Sequence, residues 1–238
     1  MISVTILTKN SERYIRDVLE ALISFDEVII GDTGSDDETI QIASTFSNVK
    51  IVQFPFMGFG PSHNRLSSYT KNEWVLSIDS DEIMHESLVK EIHALKLDKK
   101  CLYSFSRHNY YRGIWIKTCH WYPDRVIRLY NKGKTQFSNR LVHEMIETDG
   151  MDVIPLKGFV KHIPFDQPEN FIRKLQSYST LWAEQNPNKG SYTKASLHGL
   201  WAFFRSYILK RGFLQGGVGL EISLYNGLSS FYKYIKAI

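Results

Sequence analysis

The sequence predicts an α/β fold in three parts: a mostly parallel sheet with crossover helices, a mixed sheet after it, and a helical appendage at the end. Three observations carry this. Apolar runs of strand length alternate with segments of helical spacing up to residue 54. A run of β-formers, Trp74-Val75-Leu76-Ser77-Ile78, delivers three carboxylates, Asp79, Asp81 and Glu82, within four residues. Residues 170–238 carry nine Lys/Arg against two Glu, which leaves the first 169 residues at −3 in a chain of net +4.

Ile2 to Leu7 reads as a buried strand, and the short polar residues Thr8-Lys9-Asn10-Ser11 suit a turn and a helix N-cap. Ile15, Val18, Leu19, Leu22 and Ile23 then fall at helical spacing over 12–23. A second strand, Val28-Ile29-Ile30, runs into Gly31-Asp32-Thr33-Gly34-Ser35-Asp36-Asp37; a helix holding Ile40, Ala43 and Phe46 follows, then a third strand over 49–54. This β-α-β-α-β order belongs to a parallel sheet. Met57-Gly58-Phe59-Gly60-Pro61 reads as a turn into a helix with His63, Asn64 and Arg65, ahead of the strand opened by Trp74. A helix over 84–96 carries the stripe Leu88, Ile92 and Leu95. Short strands are expected at 102–111, 125–130, 135–138 and 158–162. From Pro168 the pattern is helical, ending at Asn186-Pro187, with two more segments at 192–211 and 217–236. Residues 1–165 are therefore expected to form the main domain, in halves 1–97 and 98–165, and 166–238 a helical, basic and aromatic region.

In such sheets ligands bind at the carboxyl ends of the strands, where Thr8, Asp32 and the Asp79/Asp81 pair all lie. In an extended chain Asp79 and Asp81 point the same way. Two like charges so placed repel, and a cation relieves them; oxygen ligands suit Mg²⁺ or Mn²⁺, which there would neutralise a diphosphate. The alternative is a helix start, with Ser80 or Asp81 as N-cap. An EF-hand begun at Asp79 fails, because Met84 stands where glycine is needed and Lys90 where glutamate is needed. A phosphatase aspartate motif resembles Ile-Asp-Ser-Asp but belongs on an early strand, and here it follows the fourth. A non-catalytic binding module is the competing class.

Cys101 and Cys119 have neither metal-site spacing nor a disulfide framework, which points to a reducing cytosol. Met1 leads directly into a strand and no apolar run is long enough to span a bilayer, so a cytoplasmic location is expected. Trp201, Phe203, Phe204 and Tyr207 beside Arg205, Lys210 and Arg211 suit a peripheral membrane surface, against the alternative of a solvated basic face. Nucleic acid is not the expected partner.

Thr8-Lys9-Asn10, Asp32-Thr33-Gly34-Ser35-Asp36-Asp37, Asn64 and Asp79-Ser80-Asp81-Glu82, in that order, resemble a family 2 glycosyltransferase of the GT-A fold. Trp121-Tyr122-Pro123-Asp124, Arg128-Leu129-Tyr130, Val142-His143-Glu144, Leu156-Lys157-Gly158 and Leu209-Lys210-Arg211-Gly212-Phe213 are similar to bacterial lipopolysaccharide inner-core β-1,4-glucosyltransferases. The resemblance implies an inverting, metal-dependent transfer of a hexose, glucose from UDP-glucose, to a heptose of the lipid A-core at the cytoplasmic face of the inner membrane. By the same resemblance Asp32 contacts the uracil or ribose, unless it caps the next helix. Thr8 lines the nucleotide pocket and Asn64 lies near the donor phosphates. Asp79 and Asp81 are the DxD carboxylates, with Asp81 the direct metal ligand, and His143 either completes the metal shell or is a core histidine. The Glu-Asp pair that many members carry at a late helix is absent. The catalytic base is then Glu144 or Asp124, with Glu144 the first choice; an inverting transfer needs such a carboxylate beside the acceptor hydroxyl.

Overall fold

The computed structural model describes residues 1–139, 144–165 and 167–238. These fall into two compact units: Met1–Arg107 with Arg125–His162, and His108–Asp124 with Ile163–Ile238.

The first unit is built on one sheet. Its parallel half comprises β1 (Ile2–Thr8), β2 (Val28–Asp32), β3 (Val49–Gln53) and β4 (Trp74–Asp79), in the order β3-β2-β1-β4. The crossovers carry α1 (Ile15–Glu20), α2 (Thr39–Ala43) and α3 (Phe59–Ser68). Beyond β4 the sheet continues through β8 (Arg125–Asn131), β6 (Cys101–Tyr111), β9 (Asp152–Phe165) and β5 (Glu82–Met84). The β4–β8, β6–β8 and β5–β9 pairs are antiparallel. This mixed α/β sheet, parallel first and antiparallel after, is the class that the sequence predicts. β1 and β2 are buried along nearly their whole length, as strands covered on both faces are, with the small polar Ser3 and Thr5 of β1 buried beside its apolar residues. Val4, Ile6, Ile30, Leu76 and Ile78 meet Ile15, Val18, Leu19 and Leu88 of the helices in one apolar core.

Two local features differ from the sequence reading. The segment expected to open a helix at residue 84 first forms the short strand β5, and α4 (Glu86–Ala94) starts after it with the His85 side chain accepting from the Ser87 N–H. The strand expected at 135–138 is reduced to a single bridge, Phe137 to Ile146. Gly158 on β9 lets α4 pack against the sheet, since a Cβ there would lie 2.4 Å from the Leu88 Cα.

The second unit holds the end of β6 paired with β7 (Ile114–Trp115), then α5 (Pro168–Gln185), α6 (Tyr192–Phe204) and α7 (Gly216–Ile235). Gln167 and Asn170 form a reciprocal capping box at the start of α5, with Pro168 in the first turn. A π-helical turn (Arg205–Leu209) and a 3₁₀ turn (Gly212–Gln215) join α6 to α7. These two helices approach closely where Gly199 faces Gly227: a Cβ on either would lie 3.1–3.2 Å from the other's carbonyl oxygen. The segment 108–124, which the sequence reading places in the main domain, packs here instead. Tyr111, Ile116 and Cys119 share a buried cluster with Phe171 and Ile222, because apolar residues flanking β7 find their partners on α5 and α7. No helix among the described residues is long and apolar enough to cross a membrane.

Candidate active site

The strand order reverses direction between β1 and β4, which opens the crevice at the carboxyl ends of those strands where α/β sheets take ligands. Register lines up the expected residues along that edge. Thr8 pairs with Asp32, Asp32 with Gln53, and Leu7 with Asp79.

Hydrogen bonds hold the loops there in one arrangement. Asp32 is buried; its Oδ1 accepts from the Ser35 N–H at 3.0 Å and hydroxyl at 2.6 Å, and its Oδ2 accepts from Gln53 at 3.3 Å. It does not cap the next helix, whose N-cap position is Glu38. The Thr8 carbonyl accepts from both the N–H and the hydroxyl of Thr33 at 3.1 Å. Asn10, in the left-handed region at φ 52°, donates to Asp36 at 2.7 Å and accepts from the Asp36 N–H. Asp37 accepts from the backbone of Thr39 and Glu12; burial works against its ionisation, but these bonds hold its carboxyl below the usual range. Ser11 and Ser80 hydroxyls meet at 2.8 Å and tie the loop after β1 to the loop after β4.

The carboxylate cluster follows β4. Asp79 Oδ2 accepts from Arg128 of β8 at 2.5 Å. Burial opposes ionisation of Asp79, but Arg128, then His63, His162 and Arg107, hold it below the ordinary carboxylate range. Glu82 is fully buried. Its Oε2 accepts from the Asp79 N–H at 3.1 Å, its Oε1 stands 3.6 Å from Arg107, and burial and Asp79 push its carboxyl up to about 7. Asp81 is pushed up to about 8 by burial and by the charges of Asp79 and Glu82; its Oδ2 lies 3.6 Å from His162 Nε2 of β9. The helix-start reading of these carboxylates therefore fails, because β5 and His85 separate them from α4.

A divalent ion fits this chemistry. Three clustered carboxylates face two guanidinium groups, Arg107 and Arg128, and the excess falls on Asp81. Asp79, expected as a second ligand, has one oxygen engaged by Arg128. No group of three His, Cys, Asp or Glu among the described residues is arranged to hold an ion. Mg²⁺ is commonly bound through one or two carboxylates together with substrate phosphates, and Asp81 and Asp79 are the carboxylates here that could serve. His143 lies outside the described residues.

The other expected residues are placed as follows. Asn64 on α3 spends both ends of its amide on Phe137, donating to the carbonyl and accepting from the N–H at 2.8 Å each. This ties α3 to the strand-like segment and uses the groups expected near the donor phosphates. The neighbouring His63 is a core residue: burial pushes it down to about 4, its Nδ1 lies 3.3 Å from the Ser77 hydroxyl, and its ring stacks on Phe137. Glu144, half-buried, belongs to the first unit and adds to the field that holds Arg128 charged, after Asp79 and Glu82. Asp124 belongs to the second unit and accepts from Asn109 at 3.0 Å. Sequence reasoning did not single out Arg107, Arg128 and His162 as site residues. They come from three later strands, and only sheet register brings them to the cluster; an arginine in the apolar strand Val126-Ile127-Arg128-Leu129-Tyr130 was the available signal.

Residues 3–153 match the family model for glycosyl transferase family 2. An uncharacterized glycosyltransferase of Rickettsia typhi is 28% identical, covering 99% of this chain and 86% of that protein. A lipopolysaccharide core biosynthesis glycosyltransferase, LpsC, of Rhizobium meliloti is 24% identical over 79% of this chain and 73% of its own length. Among solved structures, Staphylococcus aureus TarS 1–349 in complex with UDP-GlcNAc is 18% identical at a TM-score of 0.48, covering 95% of this chain and 79% of that one. With the family match extending through β1 to β4 and the carboxylates that follow them, the chain belongs to glycosyl transferase family 2.

Proposed function

We propose that this glycosyltransferase is an inverting, metal-dependent enzyme that moves glucose from UDP-glucose to a heptose of the lipopolysaccharide inner core, at the cytoplasmic face of the inner membrane. The observation that carries the reading is the row of Thr8, Asp32 and Asp79 along the crevice, with Asp81 beside it, its carboxyl pushed up by burial and by the charges of Asp79 and Glu82, a repulsion that a bound cation would relieve. The lipopolysaccharide core activity named for LpsC supports the acceptor class.

In this reading Thr8 and Asp32 hold the nucleoside, and the lattice of bonds through Ser35, Asn10 and Ser11 keeps their loops from rearranging when donor enters. Asp81, with the second oxygen of Asp79, would hold Mg²⁺ or Mn²⁺, and the ion would supply charge neutralisation for a diphosphate leaving group. Arg128 keeps Asp79 ionised and fixes its orientation. Asn64 acts by positioning Phe137. Glu144 removes the proton of the acceptor hydroxyl as the sugar carbon is attacked, and its field at Arg128 supports that place beside the cluster. Asp124 is the competing base, and His143 the candidate additional ligand.

The test is a donor and acceptor screen. UDP-glucose, UDP-galactose and UDP-N-acetylglucosamine are each supplied with Mn²⁺ or Mg²⁺, with and without a heptose-terminated core oligosaccharide. Glucose transfer with inversion supports the assignment. Transfer from another donor, or to another lipid-linked acceptor only, replaces its finer part; donor binding without any turnover would make the chain a nucleotide-sugar binder.

A further inference from the structure

The helical unit contains a cavity of about 330 Å³ that the transfer chemistry does not use. Its lining includes His120, Trp121, Arg205, Ser206, Lys210 and Asn226. The cations are not matched by acids: residues 192–215 contain no Asp or Glu, and among the described residues Arg205 and Lys210 make no ion pair. The floor is preset. The Ser206 hydroxyl accepts from Asn226 at 2.9 Å and from Ser223 at 3.0 Å. Cys119 and His120 hold consecutive left-handed conformations at φ 56° and 71°, and Arg205 and Ser206 lie in the π-helical turn. Non-glycine residues in that region and π-turns both concentrate at functional sites.

Beside the cavity runs an apolar face. Leu197, Leu200, Trp201 and Phe204 recur at spacings of three and four on α6, and Ile208 continues them. Leu200 is 69% exposed and Trp201 54%. Arg205 directly follows Phe204 and lines the cavity, so cation and apolar face adjoin. A cavity of this size suits a head group and not a whole lipid, and the apolar face has no protein partner among the described residues.

We infer that the helical unit docks on an anionic membrane surface, taking a phospholipid phosphate in the Arg205/Lys210 cavity while the Leu197–Ile208 face enters the acyl boundary. The assignment rests on the membrane location in the proposed function and deepens it, but not on the transfer chemistry, so vesicle binding and donor turnover can fail separately. Charge and apolar contact act together here, as interfacial helices require.

The experiment is co-sedimentation of the full chain with phosphatidylcholine vesicles, with and without phosphatidylglycerol. Arg205→Gln/Lys210→Gln should lower partitioning onto the anionic vesicles about thirtyfold, the effect of two basic contacts at such a surface. Lys96→Gln/Lys100→Gln, an equal charge loss on the first unit, should stay within about threefold of the parent. Leu200→Ser/Trp201→Ser should weaken binding without removing the preference for anionic lipid. Ala202→Phe fills the cavity wall and keeps every charge; it should abolish that preference if the cavity is the site. Circular dichroism verifies the fold of each variant, and should Ala202→Phe fail to fold, the charge pair alone decides. Equal loss in both charge pairs, binding indifferent to phosphatidylglycerol, or sodium glycerol phosphate binding to the chain while vesicles do not, would each overturn the proposal; the last would reassign the cavity to a soluble phosphate.

Discussion

Glu82→Gln should make the metal-free protein more stable, and increasingly so as the pH rises. Glu82 has no exposed surface, and burial and Asp79 push its carboxyl from an ordinary 4.5 up to about 7. The unfolded chain therefore gives up this proton first. The folded state is favoured below about pH 4.5, loses that advantage as pH rises to about 7, and changes no further above it. At about 1.4 kcal/mol per pH unit, the full loss is on the order of 3 kcal/mol. Glutamine keeps an acceptor for the Asp79 N–H and does not titrate. The opposing effect of Arg107 at 3.6 Å is already contained in the raised value. Urea unfolding of parent and variant in EDTA at pH 5, 6.5 and 8 measures the gap directly. A gap that widens by about 2 to 3 kcal/mol from pH 5 to pH 8 is the expected result. A constant gap, or a variant less stable than the parent at pH 8, would refute the view that an ionised Glu82 is held there against the stability of the fold.

Glu144→Gln should lower transfer by roughly 10² to 10⁴ with donor binding little changed; steady-state kinetics and UDP titration check it, and a dead Asp124→Asn beside a normal Glu144→Gln would reverse the assignment. Arg128→Met leaves Asp79 without its ion-pair partner and should cost about 3 kcal/mol, the low end for breaking a buried pair because the Asp79 side chain is 32% open to solvent. Its pH dependence by chemical unfolding should show Asp79 titrating higher than in the parent. Asn64→Leu removes both bonds to Phe137 and strands a backbone N–H and carbonyl, so a loss of about 2 kcal/mol is expected by the same measurement.

Much of the parallel half was legible in the sequence because each element there is specified locally. Val28-Ile29-Ile30 and Trp74-Val75-Leu76-Ser77-Ile78 are apolar for the strand period and close on carboxylates, so Asp32 and Asp79 were placed at strand ends without knowledge of their neighbours. Pairing across the sheet was not local. Arg128 reaches Asp79 from a strand 49 residues away, and His162 approaches Asp81 only because β5 pairs with β9 in one register. The short β5 was missed since three residues, Glu82-Ile83-Met84, are also compatible with a first helical turn. The pattern of segment 108–124 does not encode which core buries Ile116 and Cys119, so its place beside α5 and α7 is not legible in the sequence. The bonding of Asn64 to Phe137 shows the same limit: an amide on a helix advertises hydrogen bonds without naming the acceptor.

The central claim is that the strand-end carboxylates hold a nucleotide diphosphate through a divalent ion anchored on Asp81. Calorimetric titration of UDP, the moiety common to the donors in question, tests it without depending on the sugar or the acceptor. UDP should bind the parent in Mn²⁺, lose at least tenfold in affinity in EDTA, and show the same weak binding to Asp81→Asn in either condition, with that variant still folded. UDP binding to the parent that is equal in Mn²⁺ and EDTA, or binding to Asp81→Asn that remains as tight and as Mn²⁺-dependent as the parent's, would contradict the account.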